Sequence, residues 1–163
     1  MDDYYMKMAL EEAYRAEREE EVPVGAIIVK DDKVIARAYN QVIKRNDPTA
    51  HAEILALRQA ALALRNYRLI DTTLYVTIEP CLMCGGALVQ ARIGRIVFGA
   101  FDPKMGAFGS LYNLAEDKRL NHRIRVKSGV LEEECCRLMK DFFRRRRGTE
   151  VAVTGSTRNR LVL

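Results

Sequence analysis

The stretch Thr72-Thr73-Leu74-Tyr75-Val76-Thr77-Ile78-Glu79-Pro80-Cys81-Leu82-Met83-Cys84 decides the fold. Thr72 to Ile78 is β-branched and almost continuously apolar, the pattern of a strand buried on both faces. Pro80 then suits the first turn of a helix, where a missing N–H is no loss. That helix is expected to end near Ala91. Arg95 to Ala100 reads as a second buried strand.

Working outward toward the N-terminus, Thr49 is placed to cap an Ala- and Leu-rich helix from about Ala50 to Arg65. Asn40 to Pro48 reads as a polar loop. Lys33 to Tyr39 reads as a strand, turned at Asp31-Asp32 from a strand spanning Val22 to Val29 and interrupted by Pro23 and Gly25. Asp3 to Glu19 has helical spacing of Tyr4, Tyr5, Met8, Leu10, Ala13 and Ala16. Toward the C-terminus, Phe101 to Gly109 is a loop, Leu111 to Leu120 is a short helix or irregular, and Ile124 to Ser128 is a short strand. Leu131 to Arg146 is an amphipathic helix. Gly148 to Leu163 is small, polar and without periodicity, and reads as a flexible tail. The expectation is an α/β fold, one domain over residues 1–147 with a tail over 148–163, its sheet covered by helices on both faces.

The bulk numbers agree. The chain has 163 residues, of which 48% are hydrophobic, enough for one core. Its net charge of +5 permits a polyanionic partner without requiring one. Much of the local excess is in Arg144, Arg145, Arg146 and Arg147. No apolar run approaches the ~20 residues of a membrane span. Asp2 and Asp3 stand where a secretory leader is basic. A cytoplasmic protein is therefore expected, whose four cysteines are thiols or metal ligands rather than disulfides.

The chemistry is in His51-Ala52-Glu53 and Pro80-Cys81-Leu82-Met83-Cys84. Both fall at helix starts, where free N–H groups and the helix dipole favour anions and so thiolates. His51, Cys81 and Cys84 offer three zinc ligands. A structural site takes four protein ligands, whereas a catalytic one leaves a position for water. Glu53 is then free to take a proton from that water and return it to the substrate. Cys135 and Cys136 are adjacent in a helix and point ~100° apart, so one core and one near-surface residue are expected.

The two motifs in this order are those of zinc-dependent nucleobase deaminases. The resemblance extends over residues 4 to 147. It includes Glu21 to Ala26, Asp47 to Glu53, Leu74 to Cys81, Arg92 to Arg95, the Lys104 to Ser110 loop, Asn121 to Arg123, and Asp141-Phe142-Phe143-Arg144. Over these stretches the chain resembles the bacterial tRNA-specific adenosine deaminases, within the cytidine-deaminase-like family. The resemblance implies a three-layer α/β/α fold with a central five-stranded mixed sheet, one Zn²⁺ per subunit and a homodimer. It implies an enzyme that converts wobble adenosine of a tRNA anticodon, chiefly in an arginine tRNA, to inosine by zinc-hydroxide attack at C6 with release of ammonia. By position, His51, Cys81 and Cys84 match the metal ligands and Glu53 the proton shuttle. Asn40 matches a residue that hydrogen-bonds the flipped base, and Ala52 matches a substrate-binding position. Asp102 and Lys104 match a loop that meets the anticodon backbone, and Asn121 and His122 match a second one. Phe142, Phe143 and Arg144, with the arginines after it, match a terminal helix beside the anticodon loop.

Two other readings stay open on the residues alone. One is a deaminase of free guanine or cytosine, which would not need the basic terminal helix. The other is an inactive RNA-binding module braced by zinc, which would have no use for Glu53.

Overall fold

The computed structural model describes residues 1–158, with side chains placed through residue 148. Helix α1 (Asp2–Arg18) buries a stripe of Tyr5, Met6, Ala9, Leu10, Ala13 and Ala16. Strands β1 (Gly25–Lys30) and β2 (Lys33–Tyr39) form an antiparallel hairpin. The hairpin turns on Asp31 and Asp32, both left-handed, at φ 48° and 58°. β1 begins later than expected because Pro23 has no N–H to give a ladder. The polar loop after Asn40 contains a single helical turn, α2 (Val42–Arg45). Its Lys44 N–H donates to the buried carboxylate of Glu21 at 2.7 Å.

Helix α3 (Ala52–Leu64), strand β3 (Thr73–Ile78), helix α4 (Leu82–Gln90) and strand β4 (Arg95–Ala100) follow. After an irregular stretch come strand β5 (Arg125–Lys127) and helix α5 (Glu132–Arg158). Three local expectations change. Thr49 does not cap α3: its backbone N–H and hydroxyl both donate to Asp47 Oδ1, at 2.8 and 2.7 Å, in a side-chain turn. The N-cap is His51. Pro80 lies one residue before the N-cap of α4, which is Cys81. Finally, the tail expected over residues 148–163 is helical as far as Arg158, and residues 159–163 lie outside the described residues. No proline follows Gly148 to stop a helix already nucleated, and propagation costs far less than nucleation.

The five strands lie in the order β2-β1-β3-β4-β5. β3, β4 and β5 run parallel, and β1 is antiparallel to both neighbours. Alternate residues feed two cores. Ala26, Ile28, Leu74, Val76, Ile96 and Phe98 meet α3 and α4 residues such as Leu55, Ala56 and Leu88 on one face. Ile27, Val29, Tyr75 and Val97 meet α1 and α5 on the other through Met6, Leu10, Cys135 and Leu138. This is the expected three-layer α/β/α arrangement with a mixed five-stranded sheet. Gly25 lets α1 settle directly on β1: a Cβ there would lie 2.0 Å from the Ala9 carbonyl oxygen.

Asp2 ties the N-terminus across the sheet. Its carboxylate takes two bonds from Arg95 at 2.9 Å, one from Lys127 at 2.7 Å and one from the Tyr75 hydroxyl at 2.9 Å. Arg145 of α5 pairs with Glu17 of α1. Cys135 is buried and Cys136 half-buried, and neither is in a disulfide. Among the described residues no helix is long and apolar enough to cross a membrane.

Candidate active site

His51 and Cys81 both occupy N-cap positions, and neither side chain caps its own helix. The N-cap residue has extended backbone angles, here φ −71°, ψ 152° for His51 and φ −73°, ψ 174° for Cys81. Their side chains are thus free to converge. Cys84, in the first turn of α4, completes the group. The ligand atoms of His51, Cys81 and Cys84 all lie within 4.8 Å of one another. His51 Nδ1 is 3.7 Å from Cys81 Sγ and 3.5 Å from Cys84 Sγ. Tetrahedral zinc with ordinary Zn–N and Zn–S bonds holds nitrogen and sulfur about 3.6 Å apart. The donor set and its spacing therefore fit zinc.

The electrostatics point the same way. The Cys84 S–H and the imidazole beside Cys81 lower that thiol to about 4. Cys84 is pushed up, first by sharing its proton with Cys81 and then by burial. His51 is raised by its bond to Cys81, against desolvation. A proton held among three donor atoms is what a cation replaces. Glu53 is 3% exposed, and burial pushes its carboxyl up to about 7.

His51, Glu53 and Cys81 line a cleft of about 730 Å³. One side is formed by Val22, Val24 and Asn40. Another is the loop Phe101 to Met105, and a third is α5 through Met139, Lys140, Phe143 and Arg147. The sequence profile of the MafB19-like deaminases matches residues 1–147. The chain belongs to that family.

Within it, the deaminase is 50% identical over 147 residues to a tRNA-specific adenosine deaminase of Haemophilus influenzae, covering 90% of this chain and 85% of that one. It is 50% identical over 143 residues to a tRNA-specific adenosine deaminase of Bacillus subtilis, covering 88% and 89%. A solved structure from a study of A-to-I editing by tRNA:A34 deaminases at the wobble position of transfer RNA superposes with a TM-score of 0.80. That match has 44% identity and covers 83% of this deaminase and 98% of that chain.

The residues singled out in the sequence divide in this geometry. His51, Glu53, Cys81, Asn40, Asp102, Lys104 and Phe143 line the cleft, with Cys84 beside them. Ala52, the first residue of α3, is buried in the core and outside the cleft lining. The Asp102 carboxylate accepts from Lys104 and Met105 N–H at 3.1 and 3.2 Å, and so shapes its own loop. Phe142 is buried and outside the cleft lining, edge-on to Phe143 at 5.4 Å. Arg144 turns away and pairs with Asp141 at 2.8 Å. Asn121 and His122 also lie outside the cleft lining. The His122 ring is 2.6 Å from the Ile93 carbonyl oxygen, near the end of β4 opposite the cleft.

Sequence reasoning missed the apolar walls, Met139, Lys140 and Glu79. The spacing of Met139, Lys140, Phe143 and Arg147 is one helical face. That periodicity was readable, but which face meets the cleft was not.

Proposed function

We propose that this chain is a tRNA-specific adenosine deaminase, converting adenosine at the wobble position of an anticodon, in an arginine tRNA, to inosine and ammonia. The convergence of His51, Cys81 and Cys84 within 4.8 Å beside the buried Glu53 carries the reading. The family match and the names of the relatives support the substrate.

His51, Cys81 and Cys84 would hold one zinc per subunit. Bound there, zinc supplies a Lewis acid that brings the pKa of water to about 7. Glu53 takes a proton from the water that adds at C6 and gives it to the ring nitrogen N1. It next takes the proton of the C6 hydroxyl and passes it to the amine, so that the carbonyl forms as the C6–N6 bond breaks and ammonia leaves. Asn40 holds the extruded base from its place on the cleft wall, with Ala52 at the site end of α3. Lys104, Lys140 and Arg147 meet anticodon phosphates, and Phe143 offers a ring to an unstacked base. Asp102 orders the loop that presents Lys104. Phe142 and Arg144 support the helix from its far side. Asn121 and His122 would reach only RNA lying outside the cleft.

The deaminase unit is residues 1–147, working in the cytoplasm as a homodimer. Exposed Leu82, Met83, Leu111 and Tyr112 support a second copy. They adjoin one another, because Gly106 bridges to Cys81 and accepts from the N–H groups of Leu111 and Tyr112.

The test is incubation with an unmodified arginine tRNA carrying adenosine at the wobble position, followed by reverse transcription. Guanosine reads at that position alone support the reading. Turnover of free guanine or cytosine with none on tRNA would replace the RNA with a small substrate.

A further inference from the structure

Glu79 has no role in the chemistry above, yet it is 1% exposed and lies on the cleft wall between the end of β3 and Cys81. Its Oε1 accepts from the Asp102 N–H at 3.1 Å and from the Ser110 hydroxyl. Its Oε2 accepts from the Phe108 and Ser110 N–H groups at 2.9 and 3.1 Å. All four donors belong to the loop that follows β4. The same loop closes on the residues after Glu79: Ala107 N–H donates to the Pro80 carbonyl at 2.9 Å, and Gly106 bridges to Cys81. Gly106 makes the wrap sterically feasible. A Cβ there would lie 2.3–2.4 Å from the Glu79 carboxylate atoms.

We propose that Glu79 is a positioning residue that holds the loop Phe101 to Ser110 against the junction between β3 and α4, where Cys81 sits, so that the cleft wall and the metal site keep one fixed relation. The inference rests on reading the cleft as the site that receives the anticodon. Glutamine cannot replace the carboxylate. It has one acceptor oxygen, and in either orientation its NH₂ faces a backbone N–H that now lacks an acceptor. The loop then loosens while the strand and the three ligands stay, so substrate fit suffers more than the chemical step.

The test compares zinc-loaded wild type, Glu79→Gln and Ser110→Ala. For Glu79→Gln the expected result is unchanged zinc content, about tenfold higher KM for an anticodon stem-loop and kcat within about threefold. Hydrogen exchange should quicken at Asp102, Phe108 and Ser110 and stay unchanged along Thr73–Ile78. Ser110→Ala removes one donor and should shift KM the same way by less, which keeps the proposal testable if Glu79→Gln does not fold. Wild-type KM with wild-type exchange in the loop would overturn the proposal. So would loss of zinc and of protection across β3 together, which would make Glu79 a general brace. The exchange experiment needs no substrate, so it stands even if the RNA reading itself fails.

Discussion

A carboxyl buried as deeply as Glu53 costs stability unless something uses it. Glu53→Ala is expected to keep zinc, hold or raise Tm, and lose about 10²–10⁴ of the rate of inosine formation. Metal content, thermal melts and single-turnover kinetics on tRNA check this, and near-normal turnover would remove Glu53 from the proton path. At this scale the sequence was informative where chemistry demands rare residues in fixed order. His51, Glu53, Cys81 and Cys84 stand out because few other tasks need that set. Glu79 and Glu21 do not stand out. Each looks like an ordinary acid near a strand until a distant segment brings its N–H groups to it: Phe108 and Ser110 for Glu79, Lys44 for Glu21. No local pattern records such a partner.

α5 sorts its basic residues by azimuth. Lys140 and Arg147 face the cleft while Arg144 pairs with Asp141. Lys140→Ala and Arg147→Ala are each expected to weaken anticodon binding and to flatten the dependence of log K on log salt by about 0.7 per lost phosphate contact. Arg144→Ala should change affinity less than about twofold. Fluorescence anisotropy across a salt series distinguishes them, and equal effects for Arg144 and Arg147 would contradict the azimuth. Helix and strand types were legible because the 3.6 and 2.0 periods are strong here. Helix ends were less so. Thr49 offered a cap but satisfies Asp47 instead, which leaves His51 to begin α3 and aim its ring inward. The end of α5 was misread because Gly148 weakens a helix without terminating it.

Across the whole molecule, Asp2 fastens the first turn of α1 to β3, β4 and β5. Arg95 holds its carboxyl well below the usual carboxylate range, with Lys127 and Tyr75 adding to the effect. A folded-state pKa below the unfolded one means that this stabilisation is complete above the unfolded value of about 3.9 and fades as pH falls through the folded value. Asp2→Asn should therefore cost about 1.5–3 kcal/mol near neutrality and little in strong acid. Melts from pH 7 downward read this out, and a gap that does not narrow with acidity would refute it. Zinc acts on the same scale. Chelation should lower Tm, by about 4 kcal/mol of stability where free zinc had stood 1,000-fold above its Kd, and added zinc should restore it. A Tm insensitive to chelation would argue against a resident metal. The hairpin tip has a practical side. Asp31 and Asp32 hold left-handed angles that asparagine and glycine adopt more readily. The tip lies at the end of the sheet where Val29 meets Thr73, away from the cleft, and the Tyr5 hydroxyl bonds only the backbone oxygen of Asp32. An Asn-Gly tip would therefore add ~0.5–1 kcal/mol with that bond intact, so that endurance at high temperature can be engineered here independently of turnover.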